Sequence, residues 1–277
     1  MSGESILVKL QKIDRRYLYW ILFIGLAIPF IRPIGLPIAV TPSTLSLYNE
    51  LKTLQPGDVV LLNEAFGVGG IPECMPATAA STKIILRQGA KLIFVSPYVD
   101  YQILWARLQE LVPDFAQKEY GKDYVFLGFY AGLEAAVAQL GANIRTVFPT
   151  DAYGTPLDQI EMMKNVNSAR DIRLVLSGDT GDWCDYYIRQ WHTNYGTPVG
   201  EIGIAMLGSS YMPHYRAGVL FGMSVGSRGG AEMEKLIGEP GSATVTMDSI
   251  NVSHLLVIAA VILANIGMLS ARGKGGK

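Results

Sequence analysis

Two stretches of the chain are apolar from end to end, and between them short apolar runs alternate with amphipathic ones. The first stretch, residues 17–38 (YLYWILFIGLAIPFIRPIGLPI), follows Lys9, Lys12, Arg15 and Arg16. The second, residues 252–271 (VSHLLVIAAVILANIGMLSA), contains no Asp, Glu, Lys or Arg and runs directly into Arg272, Lys274 and Lys277. A bilayer-crossing helix needs ~20 mostly apolar residues. Both stretches therefore predict transmembrane helices, the first with Arg32 snorkelling at its far end. Tyr17, Tyr19 and Trp20 suit an aromatic anchor at a membrane interface. The predicted division is a tail over 1–16, a span over 17–38, a domain over 39–250, a span over 251–271 and a basic tail over 272–277.

The pattern changes between these stretches. Residues 58–66 (DVVLLNEAF) form an apolar run after the turn pair Pro56-Gly57 and predict a buried strand. Residues 77–90 read as a helix halted at Gly89, and residues 91–97 as a second strand ended by proline. A helical spacing over 101–112 precedes a strand over 123–130 and a helix over 132–142. After a loop come a strand over 171–179, a helix over 182–196, a strand over 201–207, a short helix over 209–218, a strand ending in 219–224 and a helix over 228–238. Strands that are apolar throughout and alternate with helices predict a mostly parallel sheet covered on both faces, a three-layer, Rossmann-like α/β domain. Open parallel sheets bind ligands outside the carboxyl ends of their strands. The loops of interest are therefore 63–74, 96–100, 129–132, 177–184 and 208–214.

Composition and charge add location. Hydrophobic residues make up 49% of the 277 and charged residues only 17%, against ~25% charged in ordinary soluble domains. A net charge of −1 gives no electrostatic basis for nucleic acid binding. Residues 33–271 hold 15 Lys and Arg against 22 Asp and Glu, a net −7, while the remaining residues at the two ends carry +6. The positive-inside rule then predicts a two-pass protein of the cell membrane, with both termini cytoplasmic and the central domain extracytoplasmic. A cleavable signal peptide competes for the N-terminus. The absence of an A-x-A pair, and the presence of Arg32, Pro33 and Pro37, favour an uncleaved anchor.

Candidate chemistry is sparse. Gly222-Met223-Ser224-Val225-Gly226 matches G-x-S-x-G, which presents a nucleophilic serine in many hydrolases. Downstream, only Asp248 and His254 follow in serine–acid–histidine order, and His254 lies inside the second apolar stretch. A turn or packing role for Ser224 is the competing reading. The glycines Gly67, Gly69 and Gly70 do not form G-x-G-x-x-G, the predicted helix does not start where they end, and Glu64 and Glu73 disfavour an anionic phosphate; a flexible loop is expected there. Glu64, Glu73, Asp151, Asp179, Asp182 and His214 fall in strand-end loops and are candidate ligand-binding residues. For Asp179 and Asp182, capping of the following helix competes. Cys74 and Cys184 follow strand ends, and their positions permit a disulfide in an oxidising compartment. No metal-ligand spacing occurs, and no cofactor is implied. Ala260, Ala264 and Gly267 present small residues at helical spacing in the second span, which suits homo- or hetero-oligomer contacts within the lipid bilayer.

The stretches IDRRYLYWILFIGLAIPFI, DYVFLG, VFPTDAYGTPLD, EMMKNV and HLLVIAAVILANIG together make the chain resemble an uncharacterised group of bacterial and archaeal membrane proteins with a helix at each end. The resemblance implies the two-span architecture and transfers no site. The expected role is a membrane-anchored, non-catalytic domain that binds a ligand or partner, or serves as a scaffold subunit of a membrane assembly. The alternative is a membrane-bound hydrolase using Ser224 or the acidic loops.

Overall fold

The computed structural model describes residues 14–272 and divides them into two compact units, one spanning Ile38–Ala243 and the other joining the segments up to Pro37 and from Thr244 onward. Its main helices are α1 (Arg15–Ile31), α2 (Pro42–Lys52), α3 (Ile71–Arg87), α4 (Tyr101–Leu111), α5 (Leu133–Ala142), α6 (Trp183–Tyr187, continued by a π-turn over Ile188–His192), α7 (Gly208–Arg216), α8 (Gly226–Ile237) and α9 (Ser242–Arg272).

Six strands form one sheet: β1 (Val59–Ala65), β2 (Lys91–Ser96), β3 (Tyr124–Phe129), β4 (Leu174–Asp179), β5 (Val199–Gly203) and β6 (Leu220–Val225). All neighbours run parallel, in the order β3-β2-β1-β4-β5-β6. The order reverses between β1 and β4, the arrangement of a doubly wound α/β fold. Because side chains alternate along a strand, each strand feeds two cores. Leu62, Phe66, Phe94, Leu176 and Ile202 pack with α2, α3, α4 and α8 on one face. Leu61, Val95, Val125, Val175, Val199 and Met223 pack with α5, α6 and α7 on the other. Burial on both faces explains why the strands are apolar throughout.

The first helix of the domain begins earlier than the pattern suggests. α3 starts at Ile71, directly after a 3-10 turn over Val68–Gly70, so the glycines do lead straight into a helix. Proline is tolerated in a first helical turn, where the missing N–H has no partner to lose. The carbonyl of Pro72, four residues before Pro76, instead accepts from the Ser227 hydroxyl at 3.4 Å.

The other unit corrects the first predicted span. α1 stops at Ile31 and does not continue to residue 38, because the residue before a proline avoids helical geometry and Arg32 precedes Pro33. Its 17 residues extend about 25 Å, short of the ~30 Å hydrocarbon core. Among the described residues, one helical segment, Ser242–Leu269, is long and apolar enough to cross a membrane by length and composition. It starts at Ser242, well before Val252, because nothing between them breaks the helix.

Asp248 organises this unit. Its buried carboxylate accepts backbone N–H groups from Ile34 at 2.7 Å, Gly35 at 2.8 Å and Leu36 at 2.8 Å. The left-handed turn at Gly35, φ +71°, aims these amides at one acceptor. Gly25 lies against α9 so closely that a Cβ there would stand 2.8 Å from Leu256 Cδ1. Replacing Asp248 with alanine leaves three amides unpaired, each costing ~1–3 kcal/mol if it stays buried. The expected result for Asp248→Ala is rapid proteolytic cleavage within 32–41, where the wild type resists. Equal cleavage rates would contradict the role assigned to this carboxylate.

Candidate functional site at the sheet crest

Ligands on open parallel sheets lie in the crevice where strand order reverses, here between the loops after β1 and β4. The chain fills that crevice itself. Phe66 is fully buried across Gly178, where an added Cβ would come within 2.8 Å of its ring. A Cβ at Gly70 would stand 2.7 Å from Phe66 Cβ. Above the ring, the Tyr98 and Thr180 hydroxyls hydrogen-bond at 3.1 Å. The carboxylate of Asp100 accepts from Val68 N at 2.7 Å. A phosphate bound at such a loop uses these amides; here a carboxylate of the chain already occupies one. The segment expected to be a flexible loop is a tight turn held on both sides.

The end of β4 is organised in the same way. Asp179 is buried and accepts from Gly181 N at 2.7 Å, Cys184 N at 2.8 Å and the Tyr211 hydroxyl at 3.2 Å. It therefore caps α6, whereas Asp182, the residue next to the helix, makes no capping bond. Burial pushes the Asp179 carboxyl up to about 7 against the lowering effect of its hydrogen bonds.

Glu201 sits one register step away on β5. It pairs with Ser177, and Asp179 pairs with Gly203, so both acids project from the same sheet face. Both Glu201 oxygens are buried with no N–H or O–H donor, and the Cys184 thiol is the group that faces them. Burial, followed by the nearby Asp179, drives its carboxyl well above the usual range. Glu64, on the opposite face of β1, is buried and unpartnered, and burial raises it well above its ordinary value. In both glutamates burial favours the protonated form.

The remaining predicted site residues are dispersed. Glu73, half-buried, accepts from Ala205 N at 2.7 Å and ties the β1 loop to the β5 loop. Asp151 organises its own turn, accepting from Tyr120 OH at 2.7 Å, Thr155 N at 2.8 Å and Tyr153 N at 3.0 Å. His214 lies 3.5 Å from Asp185. Of the candidate acids and His214, only Asp179 belongs to the buried acid pair. Glu201, its partner, escapes the loop-based search because it lies inside a strand, although an acid within an apolar run is itself a signal.

Cys74 and Cys184 are both free. They belong to the cores on opposite faces of the sheet, so the disulfide that their sequence positions permit is not formed. Burial raises the Cys74 thiol far above its ordinary value, as it does the Cys184 thiol. Both are inert as nucleophiles at neutral pH.

Ser224 lies within β6 under α8, 1% exposed, and its hydroxyl makes no hydrogen bond. A nucleophile elbow places its serine at the strand–helix turn with a histidine in reach. Here that turn falls on Gly226, φ +64°. Gly222 admits α2: a Cβ there would stand 2.3 Å from Leu47 N. The motif's residues serve packing. Ser224→Ala is accordingly expected to leave stability within ~1 kcal/mol of wild type, checked by denaturant unfolding.

Among the described residues, no group of three or more His, Cys, Asp or Glu is arranged to hold a metal ion. Clefts of about 190 and 450 Å³ lie away from the crest, one between α3 and the turn before α9, the other at the amino ends of the strands beside Asp58 and Arg170. Comparison with known proteins finds no family model, no curated relative and no solved structure that matches the chain.

Proposed function

We propose that this protein is a membrane-anchored α/β domain that binds a partner at the crest of its sheet and does no chemistry there. One observation carries the reading: the crevice used for ligands on this fold is filled by Phe66 and closed by the Tyr98–Thr180 and Asp100–Val68 contacts, while the loops around it turn apolar side chains to solvent. A crest that is closed inside and apolar outside suits a protein surface better than a small substrate.

The anchor in this reading is α9, whose Leu255, Val257, Ile258, Val261 and Ile262 are exposed as lipid contact requires. α1 forms a second span packed on it at Gly25, thinning the bilayer locally to match its shorter length. The basic flanks set both termini in the cytoplasm and the domain outside. The face carrying Ala260, Ala264 and Gly267 joins copies or partner subunits.

Because both native cysteines are fully buried, one introduced cysteine reports topology cleanly. In intact cells, Lys274→Cys is expected to resist a membrane-impermeant maleimide and to react after permeabilisation, while Arg170→Cys, at the exposed opposite end of the sheet, reacts in intact cells. Labelling of position 274 from outside would invert the proposed topology.

A further inference from the structure

Large apolar side chains stand exposed on the loops that leave four of the six strands. Val68 follows β1, Val99 and Ile103 follow β2, Phe129 and Leu133 border the β3 loop, and Met206 follows β5. Val99 is 83% exposed, Met206 75% and Leu133 60%. Tyr153 is also exposed, on a separate loop, with its ring 6.0 Å from that of the buried Phe126. Within Ile38–Ala243, the other large apolar residue this exposed is Leu45, on α2. Soluble surfaces scatter such residues singly, whereas a concentration on one face marks an interaction surface.

Leu133 carries a second sign. Its φ of +51° makes it the one non-glycine residue in the left-handed region among those described. Such a conformation costs ~1–3 kcal/mol and persists where function requires the geometry. Here the left-handed backbone carries a leucine that is 60% exposed.

The charge on the same loops has one sign. Residues 66–73, 97–103, 129–134, 180–186 and 204–210 contain Glu73, Asp100, Glu134, Asp182 and Asp185 and not one Lys or Arg. Acids near helix N-termini complement the helix dipole, which accounts for Glu73, Glu134 and Asp185, each in a first helical turn. It does not account for the lack of any basic residue, nor for Asp182, exposed and without a capping bond. The cations at this end of the sheet are Arg189, paired with Glu134 at 2.8 Å, His214 beside Asp185, and Arg228 in the first turn after β6, paired with Glu232 at 3.0 Å.

From the apolar–acidic make-up of this crest we infer that its partner is a cationic amphipathic segment of another protein, with apolar residues meeting Val99, Leu133 and Met206 and Lys or Arg residues meeting Asp182 and Asp185. Like charge disfavours an anionic lipid surface or the crest of a second copy. The inference rests on the partner-binding reading of the crest and specifies the partner's chemistry.

The test uses the full chain in nanodiscs of zwitterionic lipid, with empty nanodiscs subtracted. The probes are two 18-residue helical peptides with the same leucine face, one with lysine and one with glutamate on its polar face, and vesicles containing phosphatidylserine. The lysine peptide is expected to bind at least tenfold more tightly than the glutamate peptide, and the vesicles are expected not to bind measurably. Val99→Ser with Met206→Ser, and separately Asp182→Asn with Asp185→Asn, are each expected to weaken the lysine peptide about tenfold at unchanged thermal stability. Equal binding of the two peptides, full binding by both double variants, or crest-dependent vesicle binding would overturn the inference. A photo-crosslinker at Val99 in native membranes separates the two levels. Adducts to a partner that lacks a basic segment would overturn the partner's charge and keep the binding reading, while no adduct would remove both.

Discussion

The protein is expected to lose stability as pH rises from 5 to 9, opposite to the acid sensitivity of most domains. Glu64, Glu201 and Asp179 all have carboxyls raised above their ordinary values, with burial as the largest cause. An acid whose folded pKa exceeds its unfolded pKa favours folding fully below the unfolded value, and that contribution disappears as pH climbs through the folded value. For Asp179 the window runs from 3.8 to about 7. At ~1.4 kcal/mol per pH unit this single group accounts for roughly 4 kcal/mol by pH 8, an order-of-magnitude figure. Glu64 and Glu201 add to the loss in the same direction, because burial raises both carboxyls and no cation offsets their ionisation. Glu64→Gln and Glu201→Gln keep shape and remove the titration. Each is expected to match wild type near pH 4.5 and to melt well above it at pH 8.5. Thermal unfolding of the full chain in neutral detergent at the two pH values checks this, and a pH-independent melting temperature for the wild type would contradict it.

The second large effect falls on the glycine that opens G-x-S-x-G. Gly222→Ala places a methyl 2.3 Å from Leu47 N and 2.5 Å from Leu47 Cα, so α2 as a whole must move. Backbone atoms at that distance cannot relax as a flexible side chain can, and overpacking of this kind costs ~3 kcal/mol or more. α2 also depends on Glu232 of α8, which accepts from Thr41 N at 3.0 Å and the Thr41 hydroxyl at 2.7 Å, so displacement of α2 strains a second contact. The contrast within five residues is diagnostic: Gly222→Ala strongly destabilised and Ser224→Ala nearly neutral. A fluorophosphonate should not label the wild type, because the hydroxyl is buried. Labelling lost in Ser224→Ala would restore the hydrolase reading.

Much of the architecture was legible because the strands are buried on both faces and therefore apolar without interruption. Residues 58–66, 91–97 and 171–179 each carry a strand close to its expected position. Strand order was not legible, since the pairing of β1 with β4 depends on contacts more than a hundred residues apart that leave no local pattern. Pro72 and Pro76 hid the true start of α3, because a first-turn proline looks like a breaker when the helix end is unknown. Arg32-Pro33 ended α1 early, although hydropathy alone carried the stretch to residue 38. At the crest, Asp179 was visible as a strand-end acid, but its role depends on amides brought round by the following turn. Glu201 in VGEIG lies inside a strand, and its burial comes from neighbours on β4, α6 and α7.

The most direct measurement places a photo-reactive amino acid singly at Val99, Met206 and, as the control on the opposite end of the sheet, Arg170, in protein expressed in its native membrane. Illumination is expected to give the same discrete adduct from Val99 and Met206 and none from Arg170, in the membrane fraction and dependent on residues 242–272. No adduct from either crest position, or equal adducts from crest and control, would contradict a membrane-held domain that binds its partner at the sheet crest.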